Sequence, residues 1–212
     1  MAVVKESGLT HRQRQAMQTR NLIVDAARSL FVSRGYASTS LEAVADMAGV
    51  ASRTVYSVFG TKKALLGAIC EAWLAEAGIP EAIAEGLRET DLRRRLLIVA
   101  RASRRQWELE RGTCALLQGA AASDAEVARM LAGWKDDRGR AWRQVVEGLE
   151  PQLRPDVDAG RAVALIRALT TWEVYLELVA GEGWTADDYE KWLGGLLTEL
   201  LLPPYIQRSR SR

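Results

Sequence analysis

The sequence holds 212 residues, 48% of them hydrophobic and 26% charged, which fits a soluble globular protein of one large or two small domains and excludes a disordered chain. No apolar run reaches the roughly 18–20 residues needed to cross a bilayer, so a membrane span is not expected. The net charge of +2 is unevenly spread: residues 1–63 hold nine Lys/Arg against four Asp/Glu and the remainder is net acidic, the pattern of a chain that meets a polyanion with one part.

In chain order, Met1–Arg20 reads as a polar arm without the apolar segment of a secretory signal. From Arg20 the pairs Leu22-Ile23, Ala26-Ala27 and Leu30-Phe31 recur every four residues, one helical stripe that Gly35 ends. Ser40 caps the next helix. It acts alone, because Ala43 offers no capping-box partner. Leu41, Val44, Ala45 and Ala48 face inward and Gly49 breaks that helix. A short helix from Ser52 to Phe59 buries Val55 and Phe59, and Gly60 closes it. Thr61 caps a longer helix through Leu65, Ile69 and Trp73 that ends near Gly78-Ile79-Pro80. Further helices are expected over Asp91–Glu110, Thr113–Ala122, Ser123–Leu149, Asp156–Ala180 and Thr185–Leu202, with Pro151, Pro155 and Pro203-Pro204 marking the later boundaries. The fold class is therefore all-α. Residues 205–212 form a basic tail expected to be disordered.

Residues 41–59 carry the chemistry. Two helices joined by a short glycine-containing turn make a helix-turn-helix, whose second helix can enter a DNA major groove. Ala45 is the small residue needed where the helices meet, Gly49 is the turn residue tolerant of positive φ, and Val55 is the branched residue buried against the first helix. Any helical corner wants similar residues, so the exposed set decides. Ser52, Arg53, Thr54, Tyr56 and Ser57 crowd the start of the second helix, where free amides and the helix dipole favour phosphate. Arg53 can bond a guanine edge bidentately, while Thr54 and Tyr56 can reach phosphate oxygens. Thr39 and Ser40 add donors before the preceding helix, and Lys62 adds an ammonium at the start of the following one. These eight residues are the candidate DNA contacts.

The stretch ARSLFVSRGYASTSLEAVADMAGVASRTVYSVFGTKKALL, with flanking residues from about 20 to 66, resembles the DNA-binding domain of the TetR family of bacterial transcriptional regulators. The resemblance implies nine or so helices, a homodimer, a palindromic double-stranded operator, and a C-terminal ligand-binding region that releases DNA when occupied. It implies a three-helix DNA-binding domain in residues 1–63 and a larger helical ligand-binding and dimerisation domain in 64–204. By the same resemblance Thr54, Tyr56 and Lys62 fall at phosphate-contacting positions, and Ser52, Arg53 and Ser57 at groove-facing ones. Four residues depart from the pattern. Ala51 stands where Ser or Thr often caps the recognition helix, Arg53 replaces a frequent glycine, Val58 replaces an aromatic or histidine, and Leu22 replaces a basic residue. Arm contacts then fall to Arg12, Arg14 and Arg20.

The remaining two-thirds is rich in tryptophan. Trp107, Trp134, Trp142 and Trp172 lie in helices that, by the resemblance, wall a ligand cavity, with Cys114, Gln118 and Tyr175 as polar edges. Core packing is the alternative for each tryptophan. The last two long helices carry Leu165, Leu169, Trp172 and Leu176 on one and Leu193, Leu196, Leu197 and Leu200 on the other. Gly194-Gly195 within the second costs roughly 1 kcal/mol per glycine relative to alanine. Close approach of a neighbouring helix would justify that, and by the resemblance these two helices form the dimer interface.

His11 is the only histidine, and Cys70 and Cys114 are the only cysteines. No nucleophile–base pair or metal set emerges, so no catalytic residue, metal or cofactor is expected, and the thiols fit a reducing cytoplasm. The expectation is a ligand-responsive dimeric DNA-binding regulator, a repressor released from its operator by a small, largely apolar effector. The alternative is a DNA-binding regulator or architectural protein without a ligand, whose C-terminal region is packed solid.

Overall fold

The computed structural model describes residues 10–110 and 112–204, the side chains at 135, 137 and 138 excepted. The expected basic tail and the first nine residues of the arm lie outside the described residues. Eleven helices follow in order: α1 His11–Arg34, α2 Leu41–Ala48, α3 Ser52–Val58, α4 Lys62–Glu76, α5 Ile79–Arg88, α6 Leu92–Glu108, α7 Thr113–Ser123, α8 Ala125–Val146, α9 Ala159–Leu169, α10 Trp172–Leu176 and α11 Ala186–Leu201. No strand occurs among the described residues.

Local chemistry sets most of these boundaries. Ser40 and Thr61 accept the Ala43 and Ala64 amides, each at 3.1 Å, and so start α2 and α4. Gly35, Gly49 and Gly60 all take positive φ at the expected ends. Three boundaries differ from the sequence reading. First, α1 begins at His11 rather than near Arg20. Thr10 and Gln13 form a capping box, the Thr10 amide donating to Gln13 Oε1 at 2.8 Å and the Gln13 amide to Thr10 Oγ1 at 3.3 Å. His11, Arg12 and Arg14 are therefore helical and exposed. Second, α5 occupies a stretch that Pro80 and Gly86 make look broken. Pro80 sits at the second helical position, where its missing amide has no partner to lose, and Gly86 is buried with Arg95 Cγ 3.8 Å from where a Cβ would be. Third, the expected helix Asp156–Ala180 is divided. The Thr170 hydroxyl donates to Ile166 O at 2.8 Å, and Thr171 takes an extended backbone that opens α10.

The chain forms two compact units, one of residues to Gly78 with Leu109–Lys135, the other of Ile79–Glu108 with residues from Asp136 onward. The division falls inside α8. In the first unit, α1 to α4 share a core with α7 and the start of α8, centred on Ile23, Phe31, Val44, Leu66, Leu117 and Val127. Ion pairs brace its surface, Arg20 to Glu71 at 3.3 Å and Lys63 to Glu126. In the second unit, α6 lies along α11, burying Leu92 and Leu96 on one helix and Leu193, Leu197 and Leu201 on the other. Arg95, buried on α6, donates to Gln144 O at 3.1 Å and Val145 O at 3.0 Å, closing the C-terminal end of α8.

The glycine pair of α11 has two different explanations. A Cβ on Gly194 would lie 2.8 Å from Leu97 Cδ2 and 3.5 Å from Ala100 Cβ, so this glycine serves packing on α6 within the chain rather than an approaching partner. Gly195 meets nothing within 4 Å. Gly195→Ala is expected to stabilise the chain by about 0.5–1 kcal/mol in a denaturant melt, since helix propensity then acts without a clash.

Candidate nucleic-acid interface and aromatic cluster

The helix-turn-helix is built as its residues require. Gly49 adopts φ 67°, ψ 31°, and the Val50 amide donates to Ala45 O at 3.0 Å, turning the chain from α2 into α3. Val44, Ala45 and Val55 are fully buried at the crossing. With that side of α3 fixed in the core, Arg53, Tyr56 and Ser57 are exposed, and Ser52 and Thr54 are half-buried beside them. Phe59 is half-buried and follows the helix rather than ending it, under the Arg20 guanidinium at 5.4 Å. Ala51 precedes α3 without a side-chain cap, and Ser52 begins the helix instead of capping it.

Two expected DNA donors, buried Thr39 and half-buried Lys62, are bonded to protein carbonyls. Thr39 is 2% exposed, and its hydroxyl donates to Gly35 O at 2.9 Å and Leu30 O at 3.4 Å. Lys62 Nζ donates to Tyr36 O at 2.9 Å and Ala37 O at 3.2 Å, and lies 4.7 Å from the Tyr36 ring centroid. Both side chains hold the α1–α2 loop. Their spacing in the sequence could not reveal this, because the carbonyls they meet are exposed only once that loop folds. Ser40 is exposed and caps α2. Of the three arm arginines, Arg20 is engaged by Phe59 and Glu71.

One residue of this face carried no motif signal. Glu42, in the first turn of α2, accepts a hydrogen bond from the Tyr56 hydroxyl at 2.6 Å. That bond, with further ones from its own amide and the Ser40 hydroxyl, holds the Glu42 carboxyl below its usual range, while the same contact raises the Tyr56 phenol.

The candidate effector residues are divided between the two units. Cys114, Gln118 and Trp134 belong to the first, where Gln118 is exposed and Trp134 packs against the core. Cys70, in the same unit, is buried, and desolvation pushes its thiol up to about 12. Trp107, Trp142, Trp172 and Tyr175 belong to the second unit. There the Trp107 and Trp172 centroids lie 5.8 Å apart, and Trp172 stacks on Tyr175 at 5.9 Å. The series continues through Tyr189, 4.9 Å from Tyr175, to Trp192 and Trp184, none of which the sequence had singled out as a site. Trp107 Nε1 donates to Thr170 O at 3.3 Å, and Ser103 and Tyr189 share a buried hydrogen bond at 3.1 Å. Arg104 sits nearby with Glu108, Asp187 and Glu190.

Residues 23–69 match the model of the family described as bacterial regulatory proteins, tetR family. The solved structures similar to this chain include native NalD, the secondary repressor of the MexAB-OprM multidrug efflux pump in Pseudomonas aeruginosa, at 20% identity and a TM-score of 0.68, over 90% of this chain and 100% of that one. A SmeT–triclosan complex is 20% identical, with a TM-score of 0.68, over 92% of this chain and 97% of that one. A putative transcriptional regulator from Saccharomonospora viridis in complex with choline is 18% identical, with a TM-score of 0.61, over 88% of this chain and 99% of that one. No curated protein matches the chain. The structural likenesses establish the fold and the family match the DNA-binding module. Residues 23–69 thus carry a tetR-type helix-turn-helix module, in a chain whose helical fold is similar to that of solved regulators. No described helix is long and apolar enough to cross a membrane.

Proposed function

We propose that the chain is a cytoplasmic, homodimeric repressor that releases a palindromic operator when a small, largely apolar molecule occupies its C-terminal region. The observation that carries the DNA-reading half is the exposed row Arg53, Tyr56 and Ser57 on a helix whose opposite side is anchored by fully buried Val55. In this reading Arg53 contacts a base edge, Ser52 and Ser57 face the groove, and Ser40, Thr54 and Tyr56 meet phosphates. Thr39 and Lys62 contribute by fixing the α1–α2 loop behind them. Residues 1–63 supply the DNA-binding role and 64–204 the effector and dimer roles.

The dimer forms through α9–α10 and α11. Leu176 is 43% exposed, and Leu165, Leu169, Leu196 and Leu200 are half-buried, leaving apolar surface for a partner. Two recognition helices must sit about 34–36 Å apart, one DNA turn, to dock together. An effector that prefers the spread dimer shifts the population toward it, in proportion to its differential affinity. Trp107, Trp142, Trp172 and Tyr175, within the second unit, are the residues proposed to meet it. The efflux-pump repressor and the triclosan and choline complexes among the similar structures support this class of reading.

A second reading has its own support. Trp107, Tyr175 and Tyr189 are at most 6% exposed, and Tyr175 and Tyr189 touch edge to face, as in a filled core that needs no ligand. A thermal-shift screen coupled to DNA release separates the two. Compounds that raise the melting temperature and dissociate the DNA complex support the effector. A screen without any such compound favours a regulator lacking one.

A further inference from the structure

On the exposed face of the helix-turn-helix, one acid is bonded to a candidate DNA donor. Glu42 stands in the first turn of α2, and its carboxylate receives the Tyr56 hydroxyl at 2.6 Å. One of the side chains proposed to meet phosphate is therefore already bonded to an anion of the protein itself. Glu42 is exposed and Tyr56 is 48% exposed, so the pair faces solvent on the side where DNA would lie. A phosphate oxygen and a carboxylate oxygen accept the same hydroxyl proton, and each hydroxyl has only one to give. The two anions also repel each other at short range.

We infer that Glu42 is a positioning residue that limits DNA affinity, holding the Tyr56 hydroxyl in the free protein so that the DNA backbone must displace it. This rests on the reading of Tyr56 as a phosphate contact. The competition is independent of base sequence, because phosphates carry no sequence information. Glu42 therefore suppresses binding to all DNA alike, and the weakest, non-selective complexes are the first to fall below useful affinity. A carboxylate at this position keeps a basic module from settling on any duplex it meets.

The test uses the full chain and a random-sequence duplex of about 30 base pairs, followed by fluorescence anisotropy at one fixed salt concentration. Glu42→Gln is expected to tighten binding about fivefold, because the amide is a weaker and uncharged competitor. Tyr56→Phe is expected to weaken it about fivefold through the lost phosphate bond. In the Tyr56→Phe background the gain from Glu42→Gln is expected to fall to about twofold, the share left to charge. That non-additivity is what a purely structural or purely electrostatic role does not produce. An unchanged or weakened Glu42→Gln complex, with Tyr56→Phe still defective, overturns the inference alone. An equal gain in both backgrounds overturns it in favour of simple repulsion. A Tyr56→Phe variant that binds like the wild type overturns both the inference and the phosphate assignment beneath it. Circular dichroism melts confirm that the compared variants are folded.

Discussion

Replacing Arg53 with Ala is expected to abolish the preference for one base pair in each half-site, at a cost of about 1–3 kcal/mol per site on the preferred sequence. Binding to a random duplex should change far less. Arg53 is exposed at the second residue of α3, and among the described residues its side chain enters no ion pair. Its guanidinium offers a planar pair of donors matched to guanine O6 and N7, a geometry lysine lacks. Binding of the variant to a library of randomised half-sites measures this. A uniform loss across all sequences, with a shallower salt dependence, would mean that Arg53 contacts phosphate instead. The substitution is informative because few positions of α3 are free to vary. Val55 is committed to the core and Tyr56 to Glu42, so base selection is proposed to fall on Arg53 with its neighbours Ser52 and Ser57.

Phe31→Ala is expected to cost about 3–5 kcal/mol of stability, a large part of the 5–15 kcal/mol typical of a folded domain. Phe31 is 1% exposed in the core shared by α1 to α4, and packs edge to face on Tyr36 with centroids 5.3 Å apart. Its removal leaves a cavity beneath the loop that Thr39 and Lys62 hold. Loss of DNA binding should accompany the stability loss, because the position of α2 and α3 depends on that loop. Urea denaturation followed by far-UV circular dichroism, alongside DNA binding at a temperature below the transition, reports both effects. A variant as stable as the parent would place Phe31 outside the working core.

Local signals carried the first third of the chain and faded beyond it. Ser40, Thr61, Gly35, Gly49 and Gly60 act within a few residues of where they stand, so their capping and turning roles are readable without the fold. The start of α1 was equally local. The Thr10–Gln13 capping box has its signature in the sequence, but the polar composition around it reads as an arm. Other features depend on what arrives from elsewhere. Thr39 looks like a surface donor until the carbonyls of Leu30 and Gly35 come within reach. Gly194 looks like a partner-facing glycine until α6 brings Leu97 against it. The helix break at Thr170–Thr171 is hidden because the apolar spacing of α9 runs on into α10. Only the hydroxyl bonded back to Ile166, with the Thr170 carbonyl facing Trp107, marks the interruption.

The candidate site divides in the same way. The helix-turn-helix was legible because it is contiguous and its packing rules are strict, whereas the loop contacts of Lys62 and the role of Glu42 needed the assembled loop. The aromatic cluster was only partly legible. Trp107, Trp172 and Tyr175 meet as a group, but Tyr189, Trp184 and Trp192 join it from α11 and the turn before it, far along the chain. Trp134 packs instead with the DNA-binding helices.

The proposed dimer reads DNA sequence through α3. Competition binding of the full chain tests this most directly, with duplexes from the region upstream of its own coding sequence and from genomic fragments set against random duplex over a series of salt concentrations. The expected result is a sequence-selective complex of two protomers per palindromic site, with affinity that falls steeply as salt rises. Equal affinity for every duplex, or no salt-sensitive binding to any of them, would contradict it.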